Sequence, residues 1–170
     1  LLEVHQQLLQ GGPVPELNLG GGFGVAYTTA DTPTPIAELA DAIIGDVARQ
    51  CAERGINIPV LAFEPGRTVI AQSTVTLYSA GTIKDVAVEV DGEPHTRRYV
   101  SVDGGMSDNA RPALYGADYA VRMVSRSSDA DAQLIRLAGK HCESGDIVVD
   151  ADYLPADVRR GDLLAVPVTG

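Results

Sequence analysis

The 170-residue chain is 45% hydrophobic and 21% charged, a composition typical of a folded globular protein and not of a disordered chain. With 13 basic and 23 acidic residues its net charge is −10, which argues against a nucleic-acid partner because such partners require a basic surface. Apolar runs fall short of the ~20 residues of a membrane span, and the first residues lack a secretory signal. We therefore expect a cytoplasmic protein with no membrane partner.

The two ends of the sequence look like interrupted elements. Residues 1–9 have the apolar spacing of a helix with no capping residue before it, and residues 163–170 form an apolar, strand-like run. We expect the chain to be part of a longer protein.

Residues 17–67 predict a strand–helix–strand unit. A short apolar run at 17–19 leads into a glycine loop, and apolar residues between 36 and 48 recur at the three- and four-residue spacing of a helix. A second apolar run at 59–63 predicts the next strand. Because a crossover helix joins two parallel strands, both strands should be parallel and buried.

Capping residues predict the ends of this central helix. Thr34 is expected to be the N-cap with Pro35 at the first helical position, and Gly55 is expected to end the helix. Cys51 lies on the helix, where a free cysteine usually acts as a small buried hydrophobe.

The chain beyond residue 67 predicts an all-β domain. Strand candidates are 75–90, 98–102, 119–124, 133–137, 147–149 and 163–168, separated by turn signals at 91–92, 103–105, 144–146 and 160–162. Short strands at this spacing indicate a β-sandwich or a barrel. We expect the domains to be residues 1–73, an α/β domain, and residues 74–170, the β domain.

Two loops at the ends of the predicted parallel strands indicate an anion site. The first glycine loop (residues 20–24) and the second loop (residues 64–67) should open at one edge of the sheet, where ligands of open α/β sheets and barrels bind. Glycines let backbone N–H groups converge on a phosphate, although a tight structural turn would also use them. In the second loop, Arg67 can bind a phosphate or carboxylate.

Two polar loops lie in the predicted β domain. Residues 103–109, here called the DGG loop, precede Arg111 and Tyr115, which share one side if the segment is helical and could bind a carboxylate. The alternative is a surface loop with a solvated arginine. Residues 139–146, the cysteine loop, place Cys142 beside His141 and a glutamate. Cys142 is either a proton donor or a buried small side chain. Its spacing does not indicate zinc, and we expect no metal site.

Four motifs in this order resemble a known family. They are LNLGGGFG (17–24), EPGR (64–67), YVSVDGGMSDNARPALYGA (99–117) and GKHCESGD (139–146). The set resembles the bacterial diaminopimelate decarboxylases, which use pyridoxal 5′-phosphate (PLP) and have the alanine-racemase-like fold. The resemblance implies α/β plus β architecture: the last strands of a PLP-binding (β/α)₈ barrel followed by an all-β C-terminal domain.

The resemblance also implies roles for individual residues. Cofactor-binding residues would be Gly21, Gly22, Gly24, Glu64, Pro65, Gly66 and Arg67, with Glu64 facing the pyridine nitrogen. Substrate-binding residues would be Arg67, Arg111 and Tyr115 for carboxylates and Glu143 for the distal ammonium. Cys142 would be the general acid that reprotonates the α-carbon. Because Cys142 and Glu143 enter the neighbouring subunit's site in the family, a homodimer is implied.

Two of the family's cofactor contacts are missing from this sequence. The lysine that binds PLP covalently lies early in the family's barrel, whereas the lysines here are Lys84 and Lys140, which we expect to be structural. A C-terminal tyrosine near the cofactor would follow Gly170. We expect the isolated chain to be inactive and poorly stable.

The functional hypothesis is decarboxylation of the amino acid meso-2,6-diaminopimelate to L-lysine and CO₂. PLP would serve as the electron sink, and the protein would supply orientation and electrostatics. Two alternatives stay open: a sister PLP decarboxylase acting on another basic amino acid, and a non-catalytic module that binds a phosphometabolite.

Overall fold

A computed structural model describes residues 1–9 and 16–170. They form two compact units: unit 1 contains Leu1–Val25 and Thr32–Ile70, and unit 2 contains Ala26–Asp31 and Ala71–Gly170. Across the described ranges, every helix is either too short or too polar to span a lipid bilayer.

Unit 1 is built around the predicted strand–helix–strand arrangement. Its elements are α1 (Leu2–Leu9), β1 (Leu17–Asn18), α2 (Ile36–Arg54), β2 (Leu61–Ala62) and α3 (Gly66–Ile70). Strands β1 and β2 pair in parallel, with Leu17 opposite Leu61, so the predicted parallel pairing is confirmed. Each strand is only two residues long, shorter than the apolar runs suggested.

The predicted start of α2 is wrong by one position, and its predicted end is confirmed. Pro35 is the N-cap, with ψ of 138°, and within the described residues no side chain caps the first turn. Because extended backbone at Pro35 starts the helix at Ile36, Thr34 lies too far upstream to cap it. At the other end, Gly55 adopts the left-handed conformation with φ of 64°.

The core of unit 1 is small. Leu2, Leu17, Val47 and Cys51 form its buried cluster, and Cys51 has 0% of its surface exposed, as predicted. Several large apolar side chains of the unit are exposed, including Leu8, Ile58, Val60 and Val69. Apolar surface of this kind normally packs against another part of a protein.

Unit 2 is a six-stranded mixed sheet. After a 3₁₀ turn at Ala71–Ser73, its elements are β3 (Val75–Val90), β4 (Glu93–Val102), α4 (Arg111–Tyr115), β5 (Arg122–Met123), β6 (Ala132–Ala138), β7 (Ile147–Pro155) and β8 (Leu163–Pro167). The strand order is β5-β8-β3-β4-β6-β7, in which β4 and β6 are parallel and the other neighbours antiparallel. Fully buried Val100, Leu137 and Leu164 belong to its core.

A side chain joins the two edge strands of this sheet. Asp152 of β7 accepts hydrogen bonds through Oδ2 from the backbone N–H of Val121, at 2.7 Å, and from Nη1 of Arg122, at 2.9 Å. The sheet is therefore curled and nearly closed, which favours the barrel over the sandwich. The strand predicted at 119–124 is wrong in length, since the Val121 amide binds this carboxylate and only Arg122–Met123 joins the ladder.

Candidate active site

The two loops of unit 1 lie against each other. The backbone N–H of Glu64 donates to the carbonyl oxygen of Gly20 at 2.8 Å. A Cβ atom on Gly21 would collide with the Glu64 carbonyl, so only glycine permits this approach. The rings of Phe23 and Phe63, one from each side, have centroids 5.9 Å apart. The first glycine loop and the second loop thus form one surface, as the sequence predicted.

Asn18 is a site residue that sequence reasoning missed. Its Nδ2 donates to Oε1 of Glu64 at 2.7 Å, and its Oδ1 accepts the backbone N–H of Gly20 at 2.7 Å. The side chain therefore fixes the direction of the Glu64 carboxylate and the path of the first glycine loop. A polar residue within an apolar run, two positions before the glycines, was the available signal.

The first glycine loop borders a hollow that fits a phosphate group. Gly20 and Gly22 have φ of 74° and 89°, and the space where a Cβ of Gly22 would project is open. The hollow has a volume of about 370 Å³ and is lined by Gly21–Gly24 together with Thr34, Leu39 and Ile43. An unobstructed glycine backbone beside such a hollow is a suitable cradle for an anion.

The remaining residues of the second loop begin a short helix. The carbonyl oxygen of Pro65 accepts the N–H of Val69 at 3.1 Å, which places Pro65 just before α3. Gly66 and Arg67 are the first two residues of α3, and Arg67 is half-buried. The candidate cofactor residues of the second loop therefore lie at and just before the start of α3, beside the first glycine loop.

In unit 2, Arg111 lies among aromatic rings. Its guanidinium carbon is 5.0 Å from the ring centroid of Tyr115, one turn later on α4, and 5.3 Å from that of Tyr27. Arg111 and Tyr115 therefore share one side of a helix, as predicted. Cation–π contacts hold the guanidinium in one place. Tyr27, whose ring is also 5.0 Å from that of Tyr119, was missed because no local pattern marks it.

The loop that carries Tyr27 is fixed by one carboxylate. Asp31 accepts hydrogen bonds from the backbone N–H groups of Tyr27, at 2.9 Å, and Thr28, at 2.7 Å. The Thr28 bond is the main reason that the pKa of Asp31 is lowered. This short turn keeps the Tyr27 ring at the Arg111 side chain.

The DGG loop packs closely on the sheet. The Asp108 carboxylate accepts the N–H of Gly105 at 2.8 Å, and the ring of Tyr78 fills the space beside Gly104. Burial, together with the charges of Asp108, Asp146 and Asp103, raises the pKa of Tyr78 to about 12. The phenol therefore stays neutral, and the loop rests on an uncharged support.

The cysteine loop is bound to the DGG loop. The N–H of Lys140 donates to the carbonyl oxygen of Gly104 at 2.9 Å, and Oγ of Ser107 lies 2.8 Å from Nε2 of His141. Asp146 bonds to backbone of both loops. Two motifs that are 30 residues or more apart in the sequence thus form one framework.

Cys142 and Glu143 are exposed on this framework. Cys142 is a free thiol at the surface, so the alternative of a buried small side chain is wrong for it. The reason is local: Cys142 lies in the loop between β6 and β7, and the core positions belong to the strands. Lys84 lies within β3 and Lys140 within the cysteine loop, so neither follows a strand of unit 1.

Family comparisons cover almost the whole chain. Residues 68–170 match the family described as "Pyridoxal-dependent decarboxylase, C-terminal sheet domain", and residues 2–71 match "Pyridoxal-dependent decarboxylase, pyridoxal binding domain". The chain belongs to the pyridoxal-dependent decarboxylases. The family's cofactor is therefore PLP, and the open glycine cradle of unit 1 fits its phosphate.

Several similar proteins are diaminopimelate decarboxylases. The chain is 50% identical to diaminopimelate decarboxylase of Corynebacterium efficiens over 98% of its length and 35% of that enzyme, and 53% identical to that of Mycobacterium tuberculosis over 92% and 34%. The crystal structure of diaminopimelate decarboxylase from M. jannaschii with L-lysine matches with a TM-score of 0.76 and 29% identity, covering 99% of the chain and 36% of that structure. The chain thus spans about a third of the length of these relatives.

Proposed function

We propose that the chain forms part of a diaminopimelate decarboxylase, which converts meso-2,6-diaminopimelate to L-lysine and CO₂. The observation that carries the proposal is the joined pair of loops in unit 2. They put an arginine held by aromatic rings and an exposed thiol on one framework. We further propose that residues 1–73 complete a (β/α)₈ barrel and that residues 74–170 are the C-terminal β domain.

Unit 1 would hold the cofactor. Gly21, Gly22 and Gly24 line the hollow that suits the phosphate. Glu64, oriented by Asn18, would face the pyridine nitrogen, and Pro65, Gly66 and Arg67 would complete the site. When bound, PLP supplies the electron sink that stabilises the negative charge left at the α-carbon by loss of CO₂.

Unit 2 would bind and orient the amino-acid substrate. Arg111 suits a carboxylate, because its planar guanidinium can donate two hydrogen bonds side by side and is held in place by two rings. Tyr115 would assist it, and Arg67 of unit 1 would bind a second carboxylate. Glu143 is an exposed carboxylate that can pair with the distal ammonium group. A substrate with charged groups at both ends matches this set.

Cys142 would deliver the proton that completes the reaction. Its side chain is exposed, as contact with a substrate requires, and the thiol would transfer its proton to the α-carbon after CO₂ leaves. We expect Cys142→Ala, in the complete enzyme, to lower lysine formation by about 10²-fold or more. Bound PLP, measured by its absorbance, should be retained. Cys51→Ala is the matched control, because Cys51 is buried on α2.

Unchanged turnover of the Cys142→Ala enzyme would refute this role. A panel of diaminopimelate, lysine, ornithine and arginine as substrates separates the proposal from the sister-decarboxylase alternative. Preference for any substrate other than diaminopimelate would contradict the proposal. Absence of activity with all four would favour the phosphometabolite-binding module.

We also propose a homodimer in which Cys142 and Glu143 serve the partner's site. The exposed positions of Cys142 and Glu143 support a contact of this loop with another subunit. Mixing inactive Arg67→Ala and Cys142→Ala subunits tests this arrangement. If each site takes the two residues from different subunits, random mixing restores about a quarter of wild-type activity, since half of the dimers contain one intact site. No recovery would show that each site is built from one subunit.

A further inference from the structure

Asp146 ends the cysteine loop, and its carboxylate is buried between this loop and the DGG loop. The residue exposes 2% of its surface. Its Oδ1 accepts the backbone N–H of Met106 at 2.6 Å, and its Oδ2 accepts that of His141 at 2.7 Å. Met106 belongs to the DGG loop and His141 directly precedes Cys142. One carboxylate therefore bonds both loops at the same time.

The backbone around this carboxylate is shaped to receive it. A Cβ atom on Gly105 would lie 2.5 Å from Oδ1 of Asp146, and a Cβ on Gly139 would come closer still. Each loop thus has a glycine where the carboxylate sits. The backbone of Asp146 adds two hydrogen bonds within the cysteine loop. Its carbonyl oxygen accepts the N–H of Gly139 at 2.8 Å, and its N–H donates to the backbone carbonyl oxygen of Glu143 at 3.1 Å.

We propose that Asp146 is a positioning residue, which fixes the cysteine loop, and with it Cys142, onto the DGG loop that leads into α4. The inference rests on the proposed function, because it assigns the effect of Asp146 to proton delivery from Cys142. Hydrogen bonds from N–H groups to an ionised carboxylate are roughly twice as strong as neutral ones, so this single side chain restricts both loops.

The test replaces Asp146 in the complete enzyme and follows exchange of the loop amides. In Asp146→Ala both N–H groups lose their acceptor, and in Asp146→Asn one oxygen is replaced by an NH₂ donor. We expect hydrogen exchange at Met106 and His141 to become faster by about tenfold in Asp146→Asn and by more in Asp146→Ala. Exchange in β4 and β7 should stay unchanged. Asp162→Asn, at a similar Gly-Asp turn, is the matched control and should leave both loops unaffected.

Kinetics provide the second readout. Because the loop carries the proton donor, kcat should fall by about 10–100-fold, and KM should rise by less, since Glu143 of the same loop is one of several proposed substrate contacts. Asp146→Asn should keep more activity than Asp146→Ala. A kcat and loop exchange equal to those of the wild type in both variants would overturn the proposal. Failure of both variants to fold, with Asp162→Asn folded, would also overturn it in favour of a purely structural role.

The two proposals fail in different ways. If the enzyme is not a diaminopimelate decarboxylase, the wild type itself gives no lysine from diaminopimelate, yet the exchange measurement still reports on the loops. If Asp146 does not position the cysteine loop, the wild type is active and loop exchange does not respond to the substitutions.

Discussion

Two Gly-Asp turns of unit 2 look alike in sequence and differ in what their aspartates bind. Asp146 directly precedes β7 and Asp162 directly precedes β8, and the two expose 2% and 5% of their surfaces. Asp162 pairs with Arg126, whose Nε lies 3.0 Å from Oδ1 and whose Nη2 lies 3.0 Å from Oδ2. Asp162 also accepts the N–H of Arg159 within its own turn, whereas the Asp146 carboxylate accepts backbone N–H groups of two different loops. In the part of the chain that the structure describes, the ion pairs do not include Asp146.

The difference indicates that the two turns have separate roles, one in stability and one in activity. Arg126 also binds Asp157, at 2.8 Å, so the Asp162 turn is part of a charged network that holds one corner of the sheet. One guanidinium is shared between the two carboxylates of this network. The Asp146 turn holds the cysteine loop, which carries Cys142 and Glu143, against the DGG loop, which leads into α4. Damage to the first should therefore lower stability, and damage to the second should lower activity.

The largest expected effect comes from Gly139, where a methyl group would displace the Asp146 carboxylate. Gly139→Ala in the complete enzyme should lower kcat by about 10²-fold, because a shift of about 1 Å in a positioned group can have that effect. Gly145→Ala is the matched control, since a Cβ on Gly145 would have no heavy atom within 4 Å. Steady-state kinetics measure kcat of the two variants. Equal kcat values would contradict the functional role assigned to the Asp146 turn.

An intermediate effect, on stability, is expected at the other turn. Asp162→Ala removes the acceptor of Arg126 and of the Arg159 N–H, which lies 2.9 Å away. The apparent unfolding midpoint of the complete enzyme should fall by about 2 °C, because the loss of one charge-assisted hydrogen bond is set against the unfolding entropy of a protein about three times as long as this chain. The kcat below the midpoint should stay close to that of the wild type. A loss of kcat without a change in the midpoint would reverse the roles assigned to the two turns.

The smallest expected effect is a change in the unfolding midpoint at low pH. The hydrogen bond from Arg126 holds the pKa values of Asp162 and Asp157 below their ordinary value of 3.8. A carboxyl with a lowered folded-state pKa stabilises the fold above its ordinary pKa and loses this contribution as the pH falls through the folded value. The difference in unfolding midpoint between wild type and Asp162→Asn should be constant above pH 5 and shrink below about pH 4. A difference that grows towards low pH would contradict the assignment.

Local patterns predicted much of the fold. The parallel pairing of β1 and β2 followed from one crossover helix between apolar runs. Asp91 and Gly92, with φ of 54° and 83°, form the predicted turn between β3 and β4. The shared side of Arg111 and Tyr115 followed from their four-residue spacing. Each of these depends on residues that are close in sequence.

Long-range contacts could not be predicted in the same way. The sequence marks both Gly-Asp pairs only as turns, and nothing local reveals that Arg126 reaches one aspartate while the loop amides reach the other. Tyr27 contacts Arg111 across more than 80 residues of chain. The closure of the sheet depends on Asp152 of β7, whose partners Val121 and Arg122 lie at the start of β5 and about 30 residues earlier in the sequence.

The contact between Asp152 and the β5 segment also limits sheet extension by other molecules. A free edge strand offers unpaired N–H and C=O groups to which a foreign strand can add, and this is a common start of fibre formation. Here one edge strand is only two residues long, and the amide just before it is already bound to a carboxylate of the opposite edge. The curled sheet thus offers little template for intermolecular pairing at its seam.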